Sequence, residues 1–127
     1  MKNKDVFRVY NGFSSVYNLK GFVKFSYMVG KNKRILEVEV DNIVEALKKE
    51  CPRYYEYVGK LKEAKGAKEK IEKLKDEYKK DIEIFKEKEK EILELGNDVK
   101  IHKVKLADLP PELTAQQIDT IFEVIEE

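Results

Sequence analysis

The chain has no tryptophan, one cysteine and one histidine in 127 residues. With Cys51 alone, no internal disulfide is possible, and a reducing cytoplasm is the natural expectation. With His102 as the sole histidine and no second cysteine, the spacing of a His/Cys metal site is missing. Three prolines and six glycines leave long stretches unbroken. Gly12, Gly21 and Gly30 stand apart, so there is no glycine-rich phosphate loop. No apolar run nears the ~18 residues of a membrane span. The opening MKNKDVFRVYNGF lacks the apolar core of a signal peptide. These absences lead to the expectation of a cytoplasmic protein with no membrane partner, no metal and no cofactor.

Charge is abundant and balanced. Lys and Arg number 26, Asp and Glu 25, and the formal net charge is +1. Interspersed charge of this kind suits exposed helix faces. The balance conceals an asymmetry. Residues 1–34 hold eight Lys or Arg and one Asp, whereas residues 107–127 hold six Asp or Glu and no Lys or Arg. A basic head and an acidic tail can attract each other within one chain or between copies.

Residues 66–96 organise the reading. Two glycines bracket GAKEKIEKLKDEYKKDIEIFKEKEKEILELG, with no proline or glycine inside and strong helix formers throughout. Ile71, Leu74, Tyr78, Ile82, Phe85, Ile92 and Leu95 recur mostly three or four apart, the stripe of one long helix. Such a rod would span roughly 40 Å. A rod with one narrow apolar seam needs a partner helix. Residues 22–50 supply one: Phe22, Val29, Leu36 and Ile43 repeat every seven residues, flanked by Phe25, Val40 and Leu47. Gly30 costs about 1 kcal/mol there against Ala and suggests a close backbone approach. The ILEVEV section alternates like a strand, which keeps a second assignment open. Pro52 stops or kinks this helix at Cys51. A helix then resumes over residues 53–65, with a reversal between Gly59 and Ala67, and the rod returns antiparallel to residues 22–50.

At the N-terminus, Phe7, Tyr10, Phe13 and Tyr17 fall at helical spacing, and a short helix ending near Lys20-Gly21 is preferred over a strand pair. Past a turn at Asn97-Asp98, residues 99–113 are extended, with an alternation that slips between Ile101 and Val104. Two short pieces or a bulge are expected. Thr114 and Gln117 form a capping box for a last helix over 115–126, packing through Ile118, Ile121, Phe122 and Ile125. The resulting fold class is mainly α: a long antiparallel, coiled-coil-like helical hairpin with a short extended segment and a C-terminal helix. It is read as one domain over 1–127, made of an N-terminal helical segment (1–21), the hairpin (22–96) and the tail (97–127).

Three stretches carry a resemblance: GFVKFSYMVGKNKRIL (21–36), RYYEYVGKL (53–61) and VKIHKVKLADLPPELTAQQIDTIFEVIEE (99–127). Together they make the chain similar to an uncharacterised family of short phage and prophage helical-hairpin proteins. Members carry an acidic loop of the Lys-Asp-Glu-Asp-Gly kind at the hairpin, where this chain has the helical GAKEKIEKLKDEYKK. The resemblance implies a viral or proviral source and no established activity; with that source, the expected location is the cytoplasm of the host cell.

Two constellations stand out as candidate sites. Lys24, Tyr27, Lys31 and Arg34, spaced three, four and three, form a basic stripe with an interleaved ring, opposite Phe22, Phe25 and Val29. Charge for phosphate and a ring for stacking are what a nucleotide or nucleic acid takes. The plainer reading is a solvated outer face. Arg8, Tyr10 and Tyr17 would extend the surface. Tyr54, Tyr55 and Tyr57 are too close in sequence to share one core face, so they read as an interface or as a ring cluster covering the hairpin. Two lone residues bear on chemistry. His102 has lysines around it and no local carboxylate partner, which reads as an exposed strand residue. Cys51 has cationic neighbours in Lys48, Lys49 and Arg53 but no histidine, which reads as a structural cysteine.

The expectation is therefore a non-enzymatic viral accessory protein that binds a protein partner, a host factor or a virion-assembly component. It would act as a homo-oligomer, most simply a dimer. The alternative is a nucleotide or nucleic-acid binder that uses the basic stripe, sequestering a nucleotide signal in counter-defence.

Overall fold

The computed structural model describes residues 1–19 and 22–126. The helix end expected at Lys20-Gly21 lies outside them. Six α-helices are present among the described residues: α1 Asn3–Val16, α2 Val23–Glu50, α3 Pro52–Glu63, α4 Lys68–Glu77, α5 Lys79–Leu93 and α6 Ala115–Thr120. Two short strands, β1 Val104–Lys105 and β2 Ile125–Glu126, pair in parallel with Val104 opposite Ile125 and Lys105 opposite Glu126. The fold is mainly helical, as the periodicity implied. The chain forms two compact units, one of Met1–Asp41 with Leu95–Glu127, the other of Asn42–Glu94.

In the first unit α1 packs against α6. Its core is built from Val6, Val9, Phe13 and Val16 of α1, Phe25, Met28, Val29 and Leu36 of α2, and Val104, Ile121 and Val124 from the C-terminal third. Each such side chain contributes about 1.5–3 kcal/mol by leaving water. The N-terminal helix is real, but its valines face the core. Of the four aromatics expected there, only Phe13 is fully buried, and Tyr17 is exposed. Of the expected core line, Phe25, Val29, Leu36, Ile43 and Leu47 are buried, and Phe22 and Val40 are half-buried against the core. The strand-like alternation of ILEVEV is overridden by the helical period on either side of it.

Backbone pairing ties the chain start to the end of the rod. Asn3 N–H donates to the Leu95 carbonyl at 2.9 Å, and Asn97 N–H to the Met1 carbonyl at 2.7 Å. Asn97 also makes the expected turn, its Oδ1 accepting from Val99 N–H at 2.9 Å.

The last helix is shorter than expected. The Thr114 cap is as read: Gln117 N–H donates to Thr114 Oγ1 at 3.1 Å, and Thr114 N–H to Gln117 Oε1 at 2.9 Å. The helix nevertheless ends at Thr120. A 3₁₀ turn over Phe122–Val124 follows, and Ile125–Glu126 turns into strand. A continuous helix would bury Phe122 beside Ile121. Instead Ile121 and Val124, three apart, fill the core and Phe122 is left exposed. Pairing with β1 supplies partners for the backbone groups the helix gives up.

In the second unit α3 packs against both α4 and α5. Pro52 opens α3 at its first position, and the reversal uses Lys65 and Gly66 at φ 50° and 79°. The expected single rod is two helices. It breaks at Tyr78, φ −103° and ψ 17°, and ends at Leu93, leaving Leu95 exposed. No proline or glycine causes the break. Tyr78 is buried to 1% exposure. Its ring stacks on Tyr57 at 5.6 Å, with the Arg53 guanidinium 5.0 Å and the Lys60 ammonium 5.3 Å from its centre. Its hydroxyl donates to Glu56 at 3.1 Å. The break thus falls at the residue whose side chain packs on α3.

Candidate anion-binding cleft

A cleft of about 390 Å³ lies in the first unit, lined by Lys24, Tyr27, Met28 and Lys31 of α2, by His102, Lys103, Val104, Lys105 and Asp108, and by Glu126. One wall is helical. Lys24, Tyr27 and Lys31 fall three and four residues apart, so they rise on one side of α2 while Phe25 and Val29 face the core. Tyr27 keeps 66% of its surface exposed, and the Lys31 ammonium sits 5.6 Å from its ring centre.

The other wall is the extended run into β1, and Asn32 positions it. This side chain is fully buried. Its Nδ2 donates to the His102 carbonyl at 2.8 Å, and its Oδ1 accepts from the His102 N–H at 2.7 Å. The amide thus acts as a short strand would, satisfying both backbone groups of one residue. With His102 fixed, Val104 turns into the core and Lys105 outward. The β1–β2 pairing then sets Glu126 opposite Lys105.

Four lysines therefore meet two carboxylates around one concave surface. Three members of the sequence stripe, Lys24, Tyr27 and Lys31, are brought together. Arg34 is not among the described lining residues. Its guanidinium lies back toward Gly30, 3.8 Å from where a Cβ would stand. Among the described residues no backbone comes within 4 Å of a Cβ at Gly30; the close contact is at Gly12, with side chains, where a Cβ would meet Thr120 Oγ1 at 2.6 Å and Ile121 Cγ2 at 2.8 Å. Lys103, Lys105, His102 and Asn32 were missed as site residues. The lysine-rich VKIHKVK run was a visible signal for the first three. Nothing local marked Asn32, which sits between lysines in GKNKR and reads as surface.

The basic head does meet the acidic tail at Arg8. Its guanidinium pairs with Glu123, and donates to the Thr120 carbonyl at 3.2 Å and to Asp5 at 3.2 Å. The Glu123 hydrogen bond holds the Arg8 pKa above its ordinary value. Asp5 is held below the usual carboxylate range chiefly by accepting the Lys2 N–H; burial pulls the other way, and Arg8 adds to the lowering.

The tyrosines of the interface expectation are engaged within their own unit. Tyr54 stacks on Phe85 at 3.7 Å, Tyr55 meets the same ring edge-on at 5.9 Å, and Tyr57 is buried against Tyr78. Burial raises the Tyr54 and Tyr55 pKa. Cys51 is buried, and burial followed by Glu50 raises its thiol pKa, the reverse of activation. Among the described residues no group of His, Cys, Asp and Glu is arranged to hold a metal ion, and no helix is long and apolar enough to cross a membrane. No family model, curated protein or solved structure matches the chain.

Proposed function

We propose that this protein is a non-catalytic binder of a phosphate-bearing ligand, a nucleotide or a nucleic acid. The supporting observation is the convergence of Lys24 and Lys31 with Lys103 and Lys105 around one cleft that also offers the exposed Tyr27 ring. A lone surface lysine attracts little. Four around one concave surface focus their field and hold phosphate by charge-assisted hydrogen bonds. A ring beside them takes a base by stacking. No bond is made or broken in this role: the ligand is held and released, as in a carrier or a sequestering protein.

The protein-partner reading drew mainly on the tyrosine triad and the rod seam. With Tyr54, Tyr55 and Tyr57 turned onto Phe85 and Tyr78, it has less surface to draw on.

The test is titration of the wild type and of a Lys24→Ala/Lys31→Ala/Lys103→Ala variant with a fluorescent nucleotide, at low and high salt. Lys62→Ala in α3 serves as control. The wild type should bind, more weakly as salt rises, and the triple variant should lose about tenfold or more. Wild-type binding that survives the triple change would sink the proposal.

A further inference from the structure

The cleft is not a uniform basic groove, and its polarity points to the form of the ligand. The following rests on reading the cleft as a phosphate site. Its two carboxylates both neighbour Lys105 on the extended wall. Glu126 stands opposite Lys105 in the strand register, and Asp108 follows Lys105 by three residues. His102, clamped by Asn32, lies three residues before Lys105, on the side of it away from Asp108 in sequence. We infer that the cleft selects a free nucleotide with a terminal phosphate over a continuous nucleic-acid strand.

Three observations bear on this. The first is the placement of charge. A strand leaving past Lys105 would carry its next phosphate against Asp108 and Glu126, a like-charge approach that a ligand ending inside the cleft avoids. The second is the amount of charge. Four ammonium groups against two carboxylates leave a surplus of two positive charges, which matches one phosphate monoester at about −1.5 to −2. The third is the number of rings. Proteins that track single strands set out successive aromatic platforms along a groove. Here Tyr27 on one wall and the His102 imidazole on the other are the rings among the described lining residues, which is provision for one base. A volume of about 390 Å³ is at the small end of ligand pockets and suits a single nucleotide.

The two carboxylates thus act as a selectivity element. They weaken total attraction slightly and penalise any ligand that continues.

Calorimetric titrations of the full chain with a panel of nucleoside monophosphates, the parent nucleosides and matching short homopolymers test this. At least one monophosphate should bind about tenfold or more tightly than its nucleoside and than its homopolymer. An Asp108→Asn/Glu126→Gln variant should raise homopolymer affinity severalfold more than monophosphate affinity. Both changes are isosteric and near the surface, and a far-ultraviolet spectrum with a thermal melt checks that the variant is folded. Homopolymers that bind the wild type as tightly as monophosphates, through the same lysines, overturn the selectivity while leaving the phosphate site intact. An unchanged ratio in the double variant overturns it too. Failure of every phosphate-bearing probe on the wild type removes the underlying reading itself.

Discussion

The side-chain amide of Asn32 grips the backbone of His102 at both of its polar groups, donating to the carbonyl at 2.8 Å and accepting from the N–H at 2.7 Å. The two residues are 70 apart in sequence. The pair joins the helical wall of the cleft to the extended one. Asn32→Ala strips both partners from a buried site, and about 2–4 kcal/mol of stability should go with them. Nucleotide affinity should fall as well, because Lys103 and Lys105 lose their anchor. A chemical-denaturation midpoint equal to the wild type would show that the clamp is dispensable.

Gly12 and Gly59 should respond with opposite sign to the same change. A Cβ at Gly12 runs into Thr120 and Ile121 across the α1–α6 contact, at separations of 2.6–2.9 Å. Gly12→Ala should cost about 1–3 kcal/mol through overpacking, despite the helix propensity it gains. Gly59 lies inside α3 with nothing within 4 Å of its added Cβ. Gly59→Ala should add up to about 1 kcal/mol. Thermal melts of the two variants check both.

Acid sensitivity should trace in part to Asp5. Its folded pKa lies below its ordinary value of 3.8, chiefly through the Lys2 N–H. The folded state therefore binds fewer protons than the unfolded chain in that range. The resulting stabilisation is present above pH ~4 and is lost as pH falls through the lowered folded value. Asp5→Asn should destabilise the protein at neutral pH by about 0.5–1 kcal/mol and flatten the acid limb. Equal acid limbs in wild type and variant would assign the loss to other carboxylates.

Tyr78 should be the most sensitive residue of the second unit. Tyr78→Ala empties the space against Tyr57 and removes the partner of Arg53 and Lys60, for a loss of about 3–5 kcal/mol. Tyr78→Phe forgoes the hydroxyl's hydrogen bonds with Glu56 and Lys60 but keeps the ring, for a smaller loss of about 0.5–1.5 kcal/mol. Hydrogen exchange in α3, α4 and α5 reads the difference. If alanine leaves their protection unchanged, packing of this ring is not what shapes the bend.

Alkaline pH should loosen the same unit. Burial raises the Tyr54 and Tyr55 pKa above the ordinary 10.0. Their contribution is whole below pH ~10 and is lost as pH climbs through the raised folded values. Tyr54→Phe with Tyr55→Phe should blunt that alkaline fall, as followed by circular dichroism across the range. An unaltered alkaline limb would exclude them as its source.

Local signals in the chain were legible because they act within one or two turns. The seven-residue line through Val29, Leu36 and Ile43 made α2 a helix with a defined buried face, and the structure buries it. Pro52 at the head of α3 and the Thr114–Gln117 box at the head of α6 are caps whose chemistry spans at most three residues. The outward face of α2 followed from the same period, which is why Lys24, Tyr27 and Lys31 were found together.

What the sequence by itself determined is thus the helical class, the buried face of α2 and one wall of a cleft. Tertiary structure decided the rest. The rod is interrupted at Tyr78, where the ring packs on Tyr57 of α3, and Phe122 stays out while Ile121 and Val124 fill the core. Gly12, a weak point for helix propensity, is the place where α6 can come close. Asn32 reads as one polar residue among lysines until His102 arrives from the far end of the chain. The second wall, with Lys103 and Lys105, exists only through that meeting. Periodicity and caps are properties of neighbouring residues, whereas a cleft is made by residues whose proximity the fold alone creates.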